Sequence, residues 1–376
     1  MRGAPVTGHP AFVLLEDGEW FAGRTSRPID PSFGEVVFTT NLTGYQETFT
    51  DPSYTGQIVV MTAPMIGNYG VTPEDMESGR PQVSGVVVRE MARRPSNWRS
   101  VGPLADWLAD AGVPVLEEVD TRRLTRHLRE RGAMRGVIAM GSAPTAELQA
   151  RLLASPSMEG LDLATRASVA EGVSEGAGPH VVAYDFGMKR NIVRRLVEAG
   201  CRVTTVPART SAAEVKALAP DGLFLSNGPG DPAAVTYASE LIRDLTADGL
   251  PTFGICLGHQ LIGLAFGGNT EKLPYGHRGG NHPVLDLRTG QVLITTQNHG
   301  FSVVGDESGV PGAPDLEVTH RNLNDGTIEG IRHRTLPVFA VQYHPEAAPG
   351  PHDAFPHFDE FVSAVRRGTG EKSPTP

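Results

Sequence analysis

Residues 252–263 read TFGICLGHQLIG and set a thiol, Cys256, between Gly254 and Gly258. A G-x-C-x-G run between an apolar stretch and a helical one follows the logic of a nucleophile elbow, in which a sharp strand-to-helix turn lifts one side chain clear of the top of a sheet. Glycines on both sides let the backbone pass without Cβ clashes. A helix starting just after the thiol favours the thiolate, and its free N–H groups can hold an oxyanion. The chemistry on offer is attack of sulfur on a carbonyl carbon. The same residues also fit a buried cysteine packed against glycines, the usual state of a free cysteine, so Cys256 by itself leaves both readings open. Cys201, the other cysteine, follows VEAG at a strand start with no glycine elbow and reads as packing.

A cysteine nucleophile needs a base, and the base needs a group to orient it. PVFAVQYHPEAAPGPHD begins at residue 337 and delivers His344, Pro345 and Glu346 at the end of an apolar strand. Pro345 disfavours helix at His344. In extended chain, residues two apart project to one side, so Glu346 can hydrogen-bond the imidazole that His344 presents to Cys256. A surface HPE turn is the plain alternative, and the chain has 12 histidines. What favours chemistry is placement, with a nucleophile-like and a base-like constellation at strand ends of one α/β half.

A third strand end, FLSNGPGDP, places Gly228 and Gly230 around Pro229, a backbone able to bring N–H groups against a ligand oxygen or simply a turn. QNHGF, 297–301, follows the strand QVLITT and reads as a loop that could add amide and backbone contacts. No G-x-x-x-x-G-K-[ST] run occurs, so a Walker-type nucleotide site is not indicated. His277, His282, His352 and His357 lack cysteine or carboxylate companions at zinc-like spacing, so no metal site is expected. His259, one turn into the helix after the elbow and next to Gln260, reads as packing or support.

Residues drawn from three strand ends must be held by a sheet, and the second half of the chain has the grammar for one. HVVAYDF reads as a buried strand, GMKRNIVRRLVEAG as a helix closed by Gly200, CRVTTVP as a strand, SAAEVKALAP as a helix, and DGLFLSNGPGDP as a strand entering a loop. Such alternation predicts an α/β fold with a doubly wound, mostly parallel sheet whose sites gather at the carboxyl ends of strands. The first half, 1–166, predicts a smaller mixed α/β domain with short β-rich runs (GEVVFTT, GQIVVMTAP). It also carries a helix in DTRRLTRHLRERGAM, with Asp120 as N-cap and Leu124 and Leu128 four apart. ASVAEGVSEGAGP, 167–179, reads as a linker, 180–368 as the second domain, and the end of the chain, from 369, as a disordered tail.

At 376 residues two domains are the natural expectation. With 39% hydrophobic and 20% charged residues the composition is globular, and a net charge of −10 argues against nucleic acid or an anionic membrane as partner. Two cysteines cannot build a disulfide framework, which fits a reducing, cytoplasmic setting. The start has one arginine and only AFVLL before Glu16, unlike a signal peptide, and no stretch reaches the roughly 18 apolar residues of a membrane span.

Taken together, GICLGHQ and HPE resemble the triad (class I) glutamine amidotransferases. The chain more closely resembles the small, glutamine-hydrolysing subunits of carbamoyl-phosphate synthetases, through GEVVFTTNLTGYQETFTDPSYTGQIVVMTAPMIGNYG, VVAYDFGMKRNI, SNGPGDP, GHRGGNHPV, QNHGF and HPEAAPGPHD. The likeness spans nearly the whole chain in that family's order, and the leading domain separates this family from other amidotransferases. It implies Cys256 as nucleophile, His344 as base and Glu346 as its orienter. It also implies L-glutamine contacts at Ser53, Gly228, Gly230, Leu257, Gln260, Asn298, Gly300 and Phe301. It further implies no cofactor in this chain, ATP and Mg²⁺ being used by a separate large synthetase subunit that takes ammonia and bicarbonate. One departure is Tyr343, where a glycine often precedes the histidine in that family. The rival readings are a subunit feeding ammonia to anthranilate, aminodeoxychorismate or guanylate synthesis, a stand-alone cysteine hydrolase, and a non-catalytic glutamine-binding subunit.

Overall fold

Two units make up the chain, Met1–Met158 and Glu159–Pro376, and the computed structural model describes residues 8–369. The division falls ahead of the boundary expected at 166/167. The stretch expected as a linker lies in the second unit, where Ser174–Gly176 pairs antiparallel with Arg202–Thr204. Gly176 has φ +78°, a backbone state glycine adopts at little cost. Small residues here signal close approach to a neighbouring strand as well as a flexible chain.

The first unit is a seven-stranded mixed sheet. Its strands are β1 (His9–Leu15), β2 (Trp20–Thr25), β3 (Ser32–Thr39), β4 (Gln57–Met61), β5 (Gly85–Val87), β6 (Val115–Leu116) and β7 (Met134–Met140). β3, β4, β5 and β6 run parallel, and β1, β2 and β7 complete the sheet antiparallel on the other side. The two β-rich runs of the sequence are β3 and β4. The predicted helix forms over Thr121–Arg131, with the Asp120 carboxylate accepting the Arg123 N–H at 3.0 Å and both Leu124 and Leu128 buried.

In the second unit the strands are β8 (Ser174–Gly176), β9 (His180–Asp185), β10 (Arg202–Pro207), β11 (Gly222–Leu225), β12 (Thr252–Ile255), β13 (Thr270–Asp286), β14 (Val292–Val303), β15 (Leu316–Asn322), β16 (Ile328–His333) and β17 (Val338–Val341). They form one sheet in the order β14-β13-β15-β16-β17-β12-β11-β9-β10-β8. The run from β17 to β10 is parallel, and β17, β12, β11 and β9 are buried on both faces, as continuous apolar runs require. Val181 and Ala183 point into one core with the helices Arg190–Glu198 and Pro356–Thr369. Val182 and Tyr184 point into the other with Ala238–Thr246 and Leu257–Ala265, the layering of a doubly wound fold. Ser211 and Glu214 form a capping box at the start of Ala212–Ala217, and Gly200 ends the Arg190 helix at φ +83°.

Two expectations change. QNHGF is not a loop but the inner part of β14, paired antiparallel with β13 across register shifts at Lys272/His277 and Gly279/His282. Bulges take up the glycines and polar residues that read as breakers. Thr369, read as the start of the tail, is the last residue of the final helix, while 370–376 lie outside the described residues.

The glycines of the elbow fit because strand and helix nearly touch. A Cβ on Gly254 would lie 2.8 Å from the Gly258 carbonyl carbon, and one on Gly258 would lie 2.8 Å from the Leu225 carbonyl carbon. Backbone cannot yield as a flexible side chain can, so Gly258→Ala should cost about 1–3 kcal/mol by overpacking. The expected readout is a lower urea midpoint at an unchanged m-value, and a midpoint equal to that of the unsubstituted chain would refute this packing argument.

Candidate active site

The elbow is strained where chemistry would need it. Cys256 closes β12 with φ +53° and ψ −101°, a conformation unfavourable for a residue with a Cβ and found mostly where function requires it. Its N–H is tied to the Val341 carbonyl at 2.9 Å and its thiol faces the Asn298 carbonyl at 3.6 Å. Leu257 is the first residue of the Leu257–Ala265 helix, so its N–H has no intrahelical acceptor.

β17 runs beside β12 and delivers His344, whose N–H bonds the Thr296 carbonyl at 2.9 Å. Nδ1 of His344 donates to Glu346 Oε1 at 2.6 Å, and both side chains are fully buried. The two meet across a turn closed by the Ala347 N–H on the His344 carbonyl at 3.1 Å, not along an extended strand as the spacing suggested. Lys189 is the residue that the sequence reading passed over. Only 2% exposed, it sets its Nζ 2.9 Å from the same Glu346 oxygen and also donates to the Ala347 carbonyl. In DFGMKRNI it is followed by Arg190 and Asn191 and reads as an ordinary helix-start cation, so the sequence carried no signal for this role.

Burial pushes the Glu346 carboxyl up, but the charges of Lys189 and His344 and hydrogen bonds to both outweigh it and hold it at about 2. Burial likewise pushes the His344 imidazole down, while Glu346 and Cys256 together raise it to about 10. His344 Nε2 itself makes no hydrogen bond, so its interaction with the thiol falls short of hydrogen-bond geometry. Catalytic bonds of this kind commonly tighten once substrate is engaged. An imidazolium beside the sulfur is the counter-ion a nucleophilic thiolate needs.

Around this dyad the other expected residues fall as follows. The loop after β11 is pinned by Ser226 and Asn227. Ser226 accepts the Phe186 N–H on its hydroxyl at 3.0 Å and the Gly258 N–H on its carbonyl at 3.1 Å, and Asn227 Oδ1 accepts the Lys189 N–H at 3.0 Å. Gly228 follows, so close to Phe186 and Leu257 that a Cβ would lie 2.9 Å from Leu257 Cδ2. Gly230, at φ +97°, turns the loop away against Leu161 and Leu163. Gln260 donates through Nε2 to the Phe301 carbonyl at 2.7 Å and to Gln342 Oε1 at 3.1 Å, locking the elbow helix to β14. Asn298, Gly300 and Phe301 lie on β14 opposite β13. Ser53 belongs to the first unit, in a buried 3₁₀ turn, Pro52–Tyr54, where Asp51 accepts its N–H at 2.9 Å.

Cys201 is a buried packing residue, its thiol pushed up to about 11 by burial. His259 is fully buried and kept neutral by burial, at about 3. His277, without carboxylate companions at close spacing in the sequence, has them in the fold: Asp325 lies 2.7 Å from its Nε2 and Glu329 Oε1 3.6 Å from its Nδ1, partners 48 and 52 positions away that spacing along the chain could not reveal. Ligand-type atoms of His277, His299 and Glu329 come within 4.8 Å of one another, and hydrogen bonds already engage them. No helix among the described residues is long and apolar enough to cross a membrane.

A cysteine on a strained elbow, facing a carboxylate-bound histidine at the strand ends of a doubly wound sheet, is the arrangement of a class I glutamine amidotransferase domain. Residues 182–364 match the family model described as glutamine amidotransferase class-I, and residues 13–138 match that of the carbamoyl-phosphate synthase small chain, CPSase domain. The chain is 53% identical over 363 residues to the carbamoyl phosphate synthase small chain of Chlorobaculum tepidum, covering 95% of this chain and 98% of that one. It is 53% identical over 359 residues to the small chain of Symbiobacterium thermophilum, covering 94% and 98%. To that of Syntrophotalea carbinolica it is 50% identical over 373 residues, covering 95% and 98%. The chain belongs to the carbamoyl phosphate synthase small chain family.

The two perturbed groups make stability pH-dependent in opposite directions. His344, raised from 6.5 to about 10, stabilises the fold fully below pH 6.5, and that contribution is lost as pH rises through 10. Glu346, lowered from 4.5 to about 2, contributes fully above pH 4.5, and its share is lost as pH falls toward 2. The excess stability of the unsubstituted chain over His344→Gln should therefore be largest between pH 4.5 and 6.5 and shrink steadily toward pH 10. Urea titrations giving a flat difference from pH 6.5 to 10 would contradict it.

Proposed function

We propose that this chain hydrolyses the side-chain amide of L-glutamine through a Cys256 thioester and passes the ammonia to a separate large subunit, which uses ATP and Mg²⁺ to make carbamoyl phosphate from bicarbonate. The observation that carries the reading is the buried His344–Glu346 pair, 2.6 Å apart, beside a thiol on a strained elbow. Family membership supports the choice of acceptor.

In the first half-reaction the Cys256 thiolate attacks the amide carbon, and the carbonyl electron pair moves onto oxygen. In this reading the N–H of Leu257 and the backbone of the Gly228 loop hold that oxyanion; one such donor is typically worth ~10²–10³ in rate. His344 then gives its Nε2 proton to the departing nitrogen, the C–N bond breaks, and ammonia leaves a thioester. In the second half-reaction His344 takes a proton from water, hydroxide adds to the thioester, and glutamate departs as the thiolate re-forms. Glu346 holds the imidazole in orientation throughout, and Lys189 keeps Glu346 ionised. Glutamine's α-amino and α-carboxylate groups fall to Gln260, Asn298, Gly300 and Phe301 in this reading.

Cys256→Ala should abolish glutamate release from glutamine while leaving ammonia-dependent carbamoyl phosphate synthesis intact in the complex with the large subunit. Glutamate release at the normal rate would sink the assignment. Glutamine-dependent synthesis should appear only when both chains are mixed. Lys189→Met removes the first charge that holds Glu346 down, so the acid limb of the glutaminase pH–rate profile should move to higher pH. An unmoved acid limb would show that Lys189 does not act through Glu346.

A further inference from the structure

Apart from the groups used in this mechanism, a set of buried polar side chains in the second unit surrounds Glu329, on β16. Glu329 is fully buried, yet its Oε1 accepts from Asn322 Nδ2 at 2.7 Å and its Oε2 from Gln297 Nε2 at 2.9 Å. His277 Nδ1 lies 3.6 Å from Oε1, and the other ring nitrogen is 2.7 Å from Asp325 Oδ2. Burial pushes the His277 imidazole down, but hydrogen bonds to Asp325 and Glu329 outweigh it and raise it to about 9. At neutral pH a cation therefore sits between two carboxylates. Buried ion pairs add little stability beyond what apolar packing would give, but a satisfied polar network fixes one geometry.

That geometry reaches the active site along two routes. Gln297 and His299 flank Asn298 on β14 and bond each other at 3.0 Å. Strand alternation puts Asn298 on the opposite face, and its carbonyl faces the Cys256 thiol at 3.6 Å. The Glu329–Gln297 bond thus sets the height of the strand segment that meets the nucleophile. By the second route, the Glu329 carbonyl accepts the Gln342 N–H at 2.9 Å, two residues before His344. One residue is therefore tied both to the segment holding Asn298 and to the strand end holding the base.

We propose that the buried His277–Glu329 pair is a positioning device for the amidase site, fixing residues 297–301 and the strand end of His344 relative to Cys256, so that both glutamine binding and acylation depend on it. The proposal rests on the reading of this site as a glutamine-hydrolysing one. His277 and Glu329 do not touch the reacting atoms in this account; they act through Gln297, Asn298 and Gln342.

The test uses the complex with the large subunit and three variants, E329Q, H277Q and the double substitution. In E329Q an amide N–H faces the amide donors of Gln297 or Asn322. The kcat/KM for glutamine should fall about 10- to 100-fold, the range expected when reacting groups shift by a fraction of an ångström to an ångström. Part of that loss should be a rise in KM, because Asn298 and its neighbours move with Gln297. Ammonia-driven synthesis should stay within about twofold of normal. The double variant should lose less than the product of the single losses, since the pair acts as a unit. Values of kcat and KM within about twofold of normal in both single variants, at an unchanged melting temperature, would overturn the proposal, as would strictly multiplicative losses. Stoichiometric zinc in the purified native complex that E329Q no longer holds would overturn it too, by making the cluster a metal site. Should E329Q fail to fold, H277Q, which keeps the carboxylate, carries the test on the same thresholds. Failure of the underlying reading is separate, because it would show as glutamine hydrolysis persisting in Cys256→Ala.

Discussion

A single buried carboxylate organises the second unit. Glu346 has no exposure, and its charge persists only because the Lys189 ammonium and the His344 imidazole both lie against it. Removing one partner from such a pair typically costs about 3–5 kcal/mol, because the remaining charge stays in a medium that cannot solvate it. The fold therefore has to bring the start of the Arg190–Glu198 helix, where Lys189 sits, against the turn after β17. The parallel order that places β9 and β17 on either side of β11 and β12 does this. Once that contact forms, the histidine ring has one orientation and one proton distribution available.

The Cys256 thiol, to which the proposed mechanism assigns the attack, is held by a different physical means. Cys256 is kept at positive φ by packing rather than by charge: β12 and the following helix approach so closely that Gly254 and Gly258 have no room for a side chain, and the chain must turn sharply between them. Strain at one residue is then supported by contacts spread over two glycines, Leu225 and Ile262. Charge fixes the base and close packing fixes the sulfur. The two meet because β12 and β17 are neighbours in parallel register, Ile255 beside Val341.

The antiparallel half of the sheet supplies what a purely doubly wound core would lack. A parallel core presents its loops at one edge and leaves the space beyond its last strand open. Here β16, β15, β13 and β14 continue the sheet past β17, and the long β14 returns its inner residues to the thiol. Polar side chains from β13, β14 and β15 converge on Glu329 of β16, so side chains as well as backbone tie this extension together.

Much of this was legible in the sequence for a plain physical reason. Local rules write themselves into neighbouring residues: the strand–helix alternation from 180 onward, the Asp120 and Ser211 caps, Gly200 at a helix end, the glycine-flanked Cys256 and the His344–Glu346 spacing all follow from contacts a few residues apart. The sequence by itself therefore determined the class of sheet and singled out Cys256 and the His344–Glu346 pair as the groups to which the proposed chemistry is assigned. Only the tertiary structure decided that QNHGF is strand, that Lys189 is the counter-charge of Glu346, and that His277 joins Glu329. Each of these pairs residues 18 to 157 positions apart, and polar contacts at that range leave no period for a sequence reading to find.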